Sequence, residues 1–256
     1  MTPFALKIAT WNVNGIRARQ AQVQDWIERE RPDVVCLQEI KATSEQVPTA
    51  LCEMEGYWCV WHGGKGYSGV GLHVSKTIAP ERPRFLHPPF DYENRALAVE
   101  VDGITIASIY VPNGGKDFPA KVQFLEAMAV YARAFAEGGR PLVLCGDLNV
   151  ARTERDVHPK ERKPRAIGQL PEERLLLERI IGNGLVDLGR ALDPDNDGLF
   201  TWWAPWRNMR ERNIGWRLDY VLASSSLAAR VTSCPVQKDV GTSDHAPVVA
   251  TFVGAS

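Results

Sequence analysis

Residues able to do chemistry recur in this chain where apolar stretches stop. Ile8 to Trp11 runs into Asn12-Val13-Asn14-Gly15, Val34 to Leu37 into Gln38-Glu39, and Ile109-Tyr110-Val111 into Pro112-Asn113. Leu144-Cys145-Gly146 leads to Asp147-Leu148-Asn149, and Ser243-Asp244-His245 stands just ahead of the last apolar run. A sixth stretch, Trp216 to Tyr220, is expected to carry Asp219 inside its strand. Each has an ordinary explanation by itself: Asp147 or Asn149 caps a turn, Glu39 is solvated, and His245 is held structurally. Turn capping does not select acids, amides and an imidazole at so many strand mouths together. Loops at sheet ends converge in space, so the set describes a polar pocket holding several carboxylates.

Glu39, Asp147, Asp219 and Asp244 suit a hard, oxygen-preferring cation, and no Cys/His cluster with zinc spacing is visible in the sequence. Mg2+ is therefore expected, with Mn2+ as a substitute. Mg2+ keeps several waters and is held by one or two carboxylates plus substrate phosphate, which implies a phosphate ester as substrate.

Three other patterns fail on context. Gly64-Lys65-Gly66-Tyr67-Ser68-Gly69 has dinucleotide-loop spacing but runs into strand-like Val70 to Val74, where a helix is needed, and Val70 breaks a nucleophile elbow. Asp193, Asp195, Asp197 and Gly198 imitate a calcium loop, yet Ala204 stands where a bidentate glutamate is required. That segment reads as a surface turn.

The elements that must position the polar residues are strand-rich. Apolar runs at Leu6–Thr10, Asp33–Leu37, Tyr57–Trp61, Gly69–Val74, Leu97–Val101, Ile104–Tyr110, Leu142–Cys145, Leu218–Leu222 and Pro247–Phe252 predict strands. Helical spacing appears over Ala18–Glu30, Ala120–Phe135 and Glu172–Ile181, the last opened by Pro171. Asp102-Gly103 between two runs is a hairpin signal, so strict βαβ alternation fails and the sheets must be mixed.

The whole chain, residues 1–256, reads as a single domain of stacked sheets with outer helices, 45% apolar and 24% charged. That length supports a core without metals or cross-links as staples, so a metal here serves chemistry. A net charge of -1 excludes a polycation that holds nucleic acid by bulk electrostatics. The five cysteines, odd in number and without CxxC spacing, read as buried free thiols of a reducing compartment. With no leader pattern in the N-terminal MTPFALKIATWN and no long apolar run, a cytoplasmic protein without membrane contact is expected.

The motifs WNVNGIR, LQEIK, YVPNGG, GDLNVA, WRLDYVL and SDHAPV occur in one order over nearly the whole chain. In this the chain resembles the endonuclease/exonuclease/phosphatase superfamily, and within it the exonuclease III-type apurinic/apyrimidinic endonucleases. The resemblance implies a DNase I-like four-layer α/β sandwich, two mixed sheets packed face to face between helices. It implies Glu39 as principal metal ligand with Asn12 and Asp244 beside it, Asp147 as the base for the attacking water, and Asn149 steadying the pentavalent phosphate. His245, oriented by Asp219, would donate to a phosphate oxygen, while Tyr110, Arg95 and Asn113 match positions near the scissile phosphate. The implied activity is hydrolysis of the phosphodiester 5′ to an abasic site, with 3′–5′ exonuclease or 3′-phosphatase action from the same centre.

The implied partner is double-stranded DNA with abasic sites or blocked 3′ ends, bound by a monomer. Six basic against three acidic residues between Arg152 and Arg165, and four arginines against one acid from Trp206 to Arg217, predict basic loops for backbone phosphates. Trp202, Trp203 and Trp206 crowd beside the second loop, suiting a sugar pocket and a wedge. By the resemblance, Trp202 and Trp216 line the sugar pocket, Trp206 inserts from the minor groove and Lys116 from the major. Two departures bear on activity: Asn14 stands where many relatives carry an aspartate near the metal, and Lys163 and Ala166 replace paired asparagines in the Lys160–Arg165 loop. The rivals are a phosphomonoesterase of the same fold, acting on a small or lipid phosphate, and a non-catalytic DNA-binding module.

Overall fold

The protein was analysed as a computed structural model that describes residues 5–254. Met1 to Phe4, part of the stretch from which the absence of a leader is read, lie outside the described residues. The first sheet joins β1 (Ala5–Asn12), β2 (Val34–Gln38), β3 (Tyr57–Gly64), β4 (Tyr67–Ser75), β11 (Val231–Ser233) and β12 (Val248–Val253) in the order β11-β12-β1-β2-β4-β3. The second joins β5 (Arg84–Leu86), β6 (Ala96–Val101), β7 (Ile104–Tyr110), β8 (Leu142–Asp147), β9 (Leu185–Asp187) and β10 (Asp219–Ser224) in the order β5-β6-β7-β8-β10-β9. Both are mixed: β1 runs parallel to β2 and β7 to β8, and the remaining pairs are antiparallel.

Side-chain alternation explains the four layers. In β8, Val143 and Cys145 face Ile8, Cys36 and Leu72 across the space between the sheets, while Leu142 and Leu144 face outward under α3 (Phe118–Glu137) and α4 (Pro171–Ile181). In β2, Val34 and Cys36 point inward, and Val35 and Leu37 pack against Val23, Trp26 and Ile27 of α1 (Ile16–Glu30). Strands covered on both faces must be apolar on both, which is why they read as unbroken runs. Truncating one such side chain, Leu144→Ala for instance, costs about 2–5 kcal/mol through lost transfer energy and the cavity left behind. The short helices α2 (Thr49–Cys52), α5 (Leu188–Leu192) and α6 (Ser225–Ala228) complete the connections. Among the described residues, no helix is long and apolar enough to cross a membrane.

Most expected elements are present. Pro171 opens α4, and Asp102 and Gly103, with φ of 49° and 74°, form the tight turn between β6 and β7. Lys65-Gly66 is the hairpin turn joining β3 to β4, as befits a glycine-rich loop before a strand. Two expectations are corrected. Asp219 opens β10 instead of lying inside it, and only Cys36, Cys145 and Cys234 of the five free thiols are buried, Cys52 and Cys59 being half-buried.

Candidate active site

The two parallel pairs place the polar side chains at one edge of the sandwich. Asn12 stands opposite Gln38 at the end of β1 and β2, and Tyr110 opposite Asp147 at the end of β7 and β8. The sheets stack with β1 against β8 and β2 against β7, so these ends meet. The antiparallel strand β10 brings Asp219 opposite Asp147. The antiparallel strand β12 brings the preceding segment, with Asp244 and His245, back to the end of β1. Gly146 permits the close approach of β7 to β8, since a Cβ there would lie 1.8 Å from the Ile109 carbonyl oxygen.

One amide ties the sheets together at this edge. Asn12 Nδ2 donates to Glu39 Oε2 and to Asp147 Oδ2, each at 2.9 Å, and Asn12 Oδ1 accepts from the Asn14 main-chain N–H. His245 Nε2 lies 3.7 Å from the same Asp147 oxygen, Oδ2, and His245 Nδ1 lies 2.8 Å from Asp219 Oδ2. The Asn149 main-chain N–H donates to Asp147 Oδ1 at 2.9 Å, while its Nδ2 donates to the Val111 carbonyl at 2.9 Å. Asn113 Nδ2 donates to Asn149 Oδ1 at 3.3 Å. Asp244 accepts from Asn14 Nδ2 at 2.8 Å and from Trp202 Nε1 at 3.0 Å. Trp202 meets Trp216 edge-on with ring centroids 5.7 Å apart. The Arg95 guanidinium lies 4.8 Å over the Tyr110 ring. Asn14, Glu39 and Asn149 all adopt the left-handed backbone, at φ of 44°, 55° and 51°.

Burial and crowding set the protonation. Desolvation raises Asp147 to about 7, reinforced by the charge of Asp219 and opposed by His245 and Asn12. Burial alone would depress His245, but Asp219 and Asp147 hold it as an imidazolium, raised to about 10. Burial, then the charges of Glu39 and Asp147, push the Tyr110 phenol well up, so it stays protonated. The ligating atoms of Asp147, Asp219 and His245 lie within 4.8 Å of one another, so the imidazolium stands between two carboxylates. Asp219 Oδ1 is buried and accepts no hydrogen bond, and Asn12 turns its nitrogen to the carboxylates, bracing them as a donor.

The expected residues therefore separate into a centre and a rim. Glu39, Asn12, Asp147, Asn149, Asn113, His245, Asp219, Asp244, Trp202, Trp216, Tyr110 and Arg95 are joined contact to contact. Lys116, Lys163 and Trp206 are exposed, Trp206 at 61%. One expectation about the rim is corrected and another is narrowed. Of the ten basic residues in the two segments, Lys160, Arg162, Lys163, Arg165, Arg207 and Arg212 are exposed, and the other four make contacts within the protein. Buried Arg217 pairs with Asp156 and Asp187, Arg210 donates to the carbonyls of Lys238, Val240 and Ser243, Arg152 pairs with Glu178, and Arg155 pairs with Asp197. Trp203 turns into the core under Arg210, so it lines no pocket.

Two residues at the centre were not singled out in the sequence, although Lys41 closes the LQEIK motif. Lys41 Nζ bonds Glu39 Oε1 at 2.8 Å and Asn14 Oδ1 at 2.6 Å. Buried Lys121 pairs with Glu173 and donates to the carbonyls of Asn149 and Asn113, at 2.7 and 3.1 Å. For Lys121 the available signal is a lysine amid a helical apolar face.

Residues 9–245 match the family described as Endonuclease/Exonuclease/phosphatase family. The chain belongs to that family. Members similar to it include the exodeoxyribonuclease of Bacillus subtilis, 34% identical over 95% of this chain and 98% of the relative. The DNA repair nuclease APEX1 of Danio rerio is 34% identical over 95% of this chain and 81% of the relative. The recombination repair protein 1 of Drosophila melanogaster is 32% identical, and the chain spans only 37% of it. Among solved structures of the same fold, an AP endonuclease from Archaeoglobus fulgidus superposes with a TM-score of 0.87 at 31% identity, covering 96% of this chain and 99% of that one. A 3′-5′ exonuclease from Neisseria meningitidis gives 0.88 at 32% identity, covering 97% and 100%.

Proposed function

We propose that this chain is a Mg2+-dependent DNA repair nuclease that hydrolyses the phosphodiester 5′ to an abasic site and trims blocked 3′ ends as a 3′–5′ exonuclease or 3′ phosphatase. The observation that carries this is the Asn12 amide bonded to both Glu39 and Asp147, with His245 Nε2 3.7 Å from the same Asp147 oxygen. The relatives' names supply the substrate class: an exodeoxyribonuclease, a DNA repair nuclease, an AP endonuclease, and a Neisseria 3′ phosphatase bound to product DNA hairpin.

The donor set fits a hard cation. Glu39, Asp147 and Asp244 face only Lys41 and His245 as cations in direct contact with the cluster, and an oxygen of Asp219 stands without a donor, so oxygen ligands are in surplus. Glu39 would hold Mg2+, or Mn2+ in its place, with Asp244 beside it and Asn12 after its amide turns to present Oδ1. Bound there, the ion supplies Lewis-acid stabilisation of charge developing on the phosphate oxygens.

Asp147, raised toward neutrality, takes a proton from the attacking water as the P–O3′ bond breaks, and the 3′ oxygen leaves as an oxyanion that takes its proton from solvent. The His245 imidazolium, fixed by Asp219, donates from Nε2 to a phosphate oxygen. Asn149, held by Asp147, Val111 and Lys121, steadies the same group, and protonated Tyr110 donates beneath the Arg95 guanidinium. Trp202 and Trp216 border the abasic sugar. Trp206 and Lys116 reach into the duplex, and Asn113 and Lys163 meet backbone phosphates. The enzyme acts as a cytoplasmic monomer, in keeping with its free cysteines.

A single-abasic duplex, a 3′-phosphate nick and a recessed 3′ end, each incubated with and without Mg2+, test the proposal by ranked rates. Incision and trimming that stop without the ion are expected. Phosphate release from a soluble inositol phosphate, with all three DNAs untouched, would overturn it in favour of a phosphomonoesterase.

A further inference from the structure

A second cluster of ligating side chains lies away from the Asp147 centre. His62 on β3, at the edge of the first sheet, meets His87 and Asp91 on the connection between β5 and β6 of the second sheet. His62 Nε2 lies 2.6 Å from Asp91 Oδ2, His87 Nδ1 lies 3.8 Å from that oxygen, and the imidazole centroids are 4.3 Å apart. All three donor atoms fall within 4.8 Å of one another. No zinc-like spacing in the sequence marks this cluster: the two histidines stand 25 positions apart, and folding closes the gap.

We propose that His62, His87 and Asp91 form a transition-metal site of the zinc class, separate from the Mg2+ centre. Two neutral imidazoles and one carboxylate, with a fourth position left to water, are a ligand set for Zn2+ and a poor one for Mg2+. A tetrahedron with zinc bonds of about 2.0–2.1 Å has edges of about 3.3 Å. The 2.6 and 3.8 Å separations bracket that edge, so side-chain rotation suffices to seat the ion. A plain hydrogen bond accounts for His62 and Asp91, while His87 lies beyond hydrogen-bond distance, within ion-pair range of the same oxygen and in edge contact with the second imidazole.

The supporting contacts are also those of a metal ligand. Asp91 Oδ1 accepts the main-chain N–H groups of Arg95 and Ala96, at 2.8 and 2.9 Å, which fixes the carboxylate and leaves Oδ2 for the ion. The same contacts couple the cluster to the segment presenting Arg95, which also bonds Tyr67 Oη at 2.7 Å and lies over Tyr110. An ion here staples the edge of one sheet to the Arg95 loop of the other.

The test is a titration of the metal-stripped full chain with Co2+, in excess Mg2+ to occupy oxygen-rich sites, read by the visible absorbance of tetrahedral Co2+, then by displacement with Zn2+. One Co2+ per chain is expected, with the signal retained in Glu39→Gln. His87→Gln, on a side chain 56% exposed and so safe for folding, should weaken binding at least about tenfold, and His62→Gln likewise. Zn2+ should raise the Tm of the parent and not that of His87→Gln. Parent-like binding in both histidine variants, loss of the signal in Glu39→Gln, or no tetrahedral signal in the parent would each overturn the site.

Discussion

Lys121, with no solvent exposure, donates a 2.7 Å hydrogen bond to the main-chain carbonyl of Asn149. Burial lowers the Lys121 ammonium while Glu173 beside it favours its charge, so a buried ion pair on α3 and α4 props the loop that follows β8. Lys121→Met leaves Glu173 buried and uncompensated, and should cost about 3–5 kcal/mol in denaturant melts. Lys121→Met with Glu173→Leu should recover most of that stability while kcat stays depressed, because Asn149 has still lost its prop. Full recovery of kcat in the double variant would show the pair to be structural only.

Asp147→Asn keeps the shape of the centre but removes the proton acceptor. Turnover on an abasic duplex should fall by at least about 10²–10⁴-fold, with duplex affinity near that of the parent. Near-normal turnover would refute the base assignment.

At Trp206, exposure predicts a functional effect without a structural one. Trp206→Ala should leave the unfolding free energy within about 0.5 kcal/mol of the parent and weaken abasic-duplex incision more than 3′-end trimming. Equal losses in the two assays would count against a wedge.

Replacing Asn14 by aspartate sets a carboxylate where Nδ2 now donates to Asp244 Oδ1 at 2.8 Å. Two like charges there favour a cation between them. Asn14→Asp should lower the Mg2+ concentration giving half-maximal incision, and a Mg2+ titration giving the parent's midpoint or a higher one would reject the idea.

Acid stability turns on His73, whose ring is fully buried and donates from Nε2 to the Leu51 carbonyl at 3.0 Å. Burial lowers it from 6.5 to about 4. The unfolded chain therefore binds the extra proton first, and stability present above pH 6.5 is lost as pH falls toward 4, by about 3 kcal/mol. Denaturant melts across that range should show this slope in the parent and a flatter one in His73→Gln. Equal slopes would assign the acid sensitivity elsewhere.

Much of the site is visible in one dimension because of how strands end. A strand buried on both faces stays apolar until it leaves the sandwich, so the first polar residue after it marks the sheet edge, as at Glu39 and Asp147. Short elements escape the same logic: β5, β9 and β11, each of three residues, are too brief to display a period.

The sequence by itself determined the long strands, the three long helices, the Asp102-Gly103 turn and the carboxylate, amide and imidazole groups that meet at the centre, because period, caps and turns are set by near neighbours. Tertiary structure alone decided which charges are free. Arg217 and Arg210 have the composition of a phosphate-binding loop yet close on Asp187 and on main-chain carbonyls. Trp203 and Trp206, three positions apart, divide between core and solvent, and His62 and His87 become neighbours only when the two sheets stack. Partner choice depends on groups far along the chain, whose approach no local spacing records.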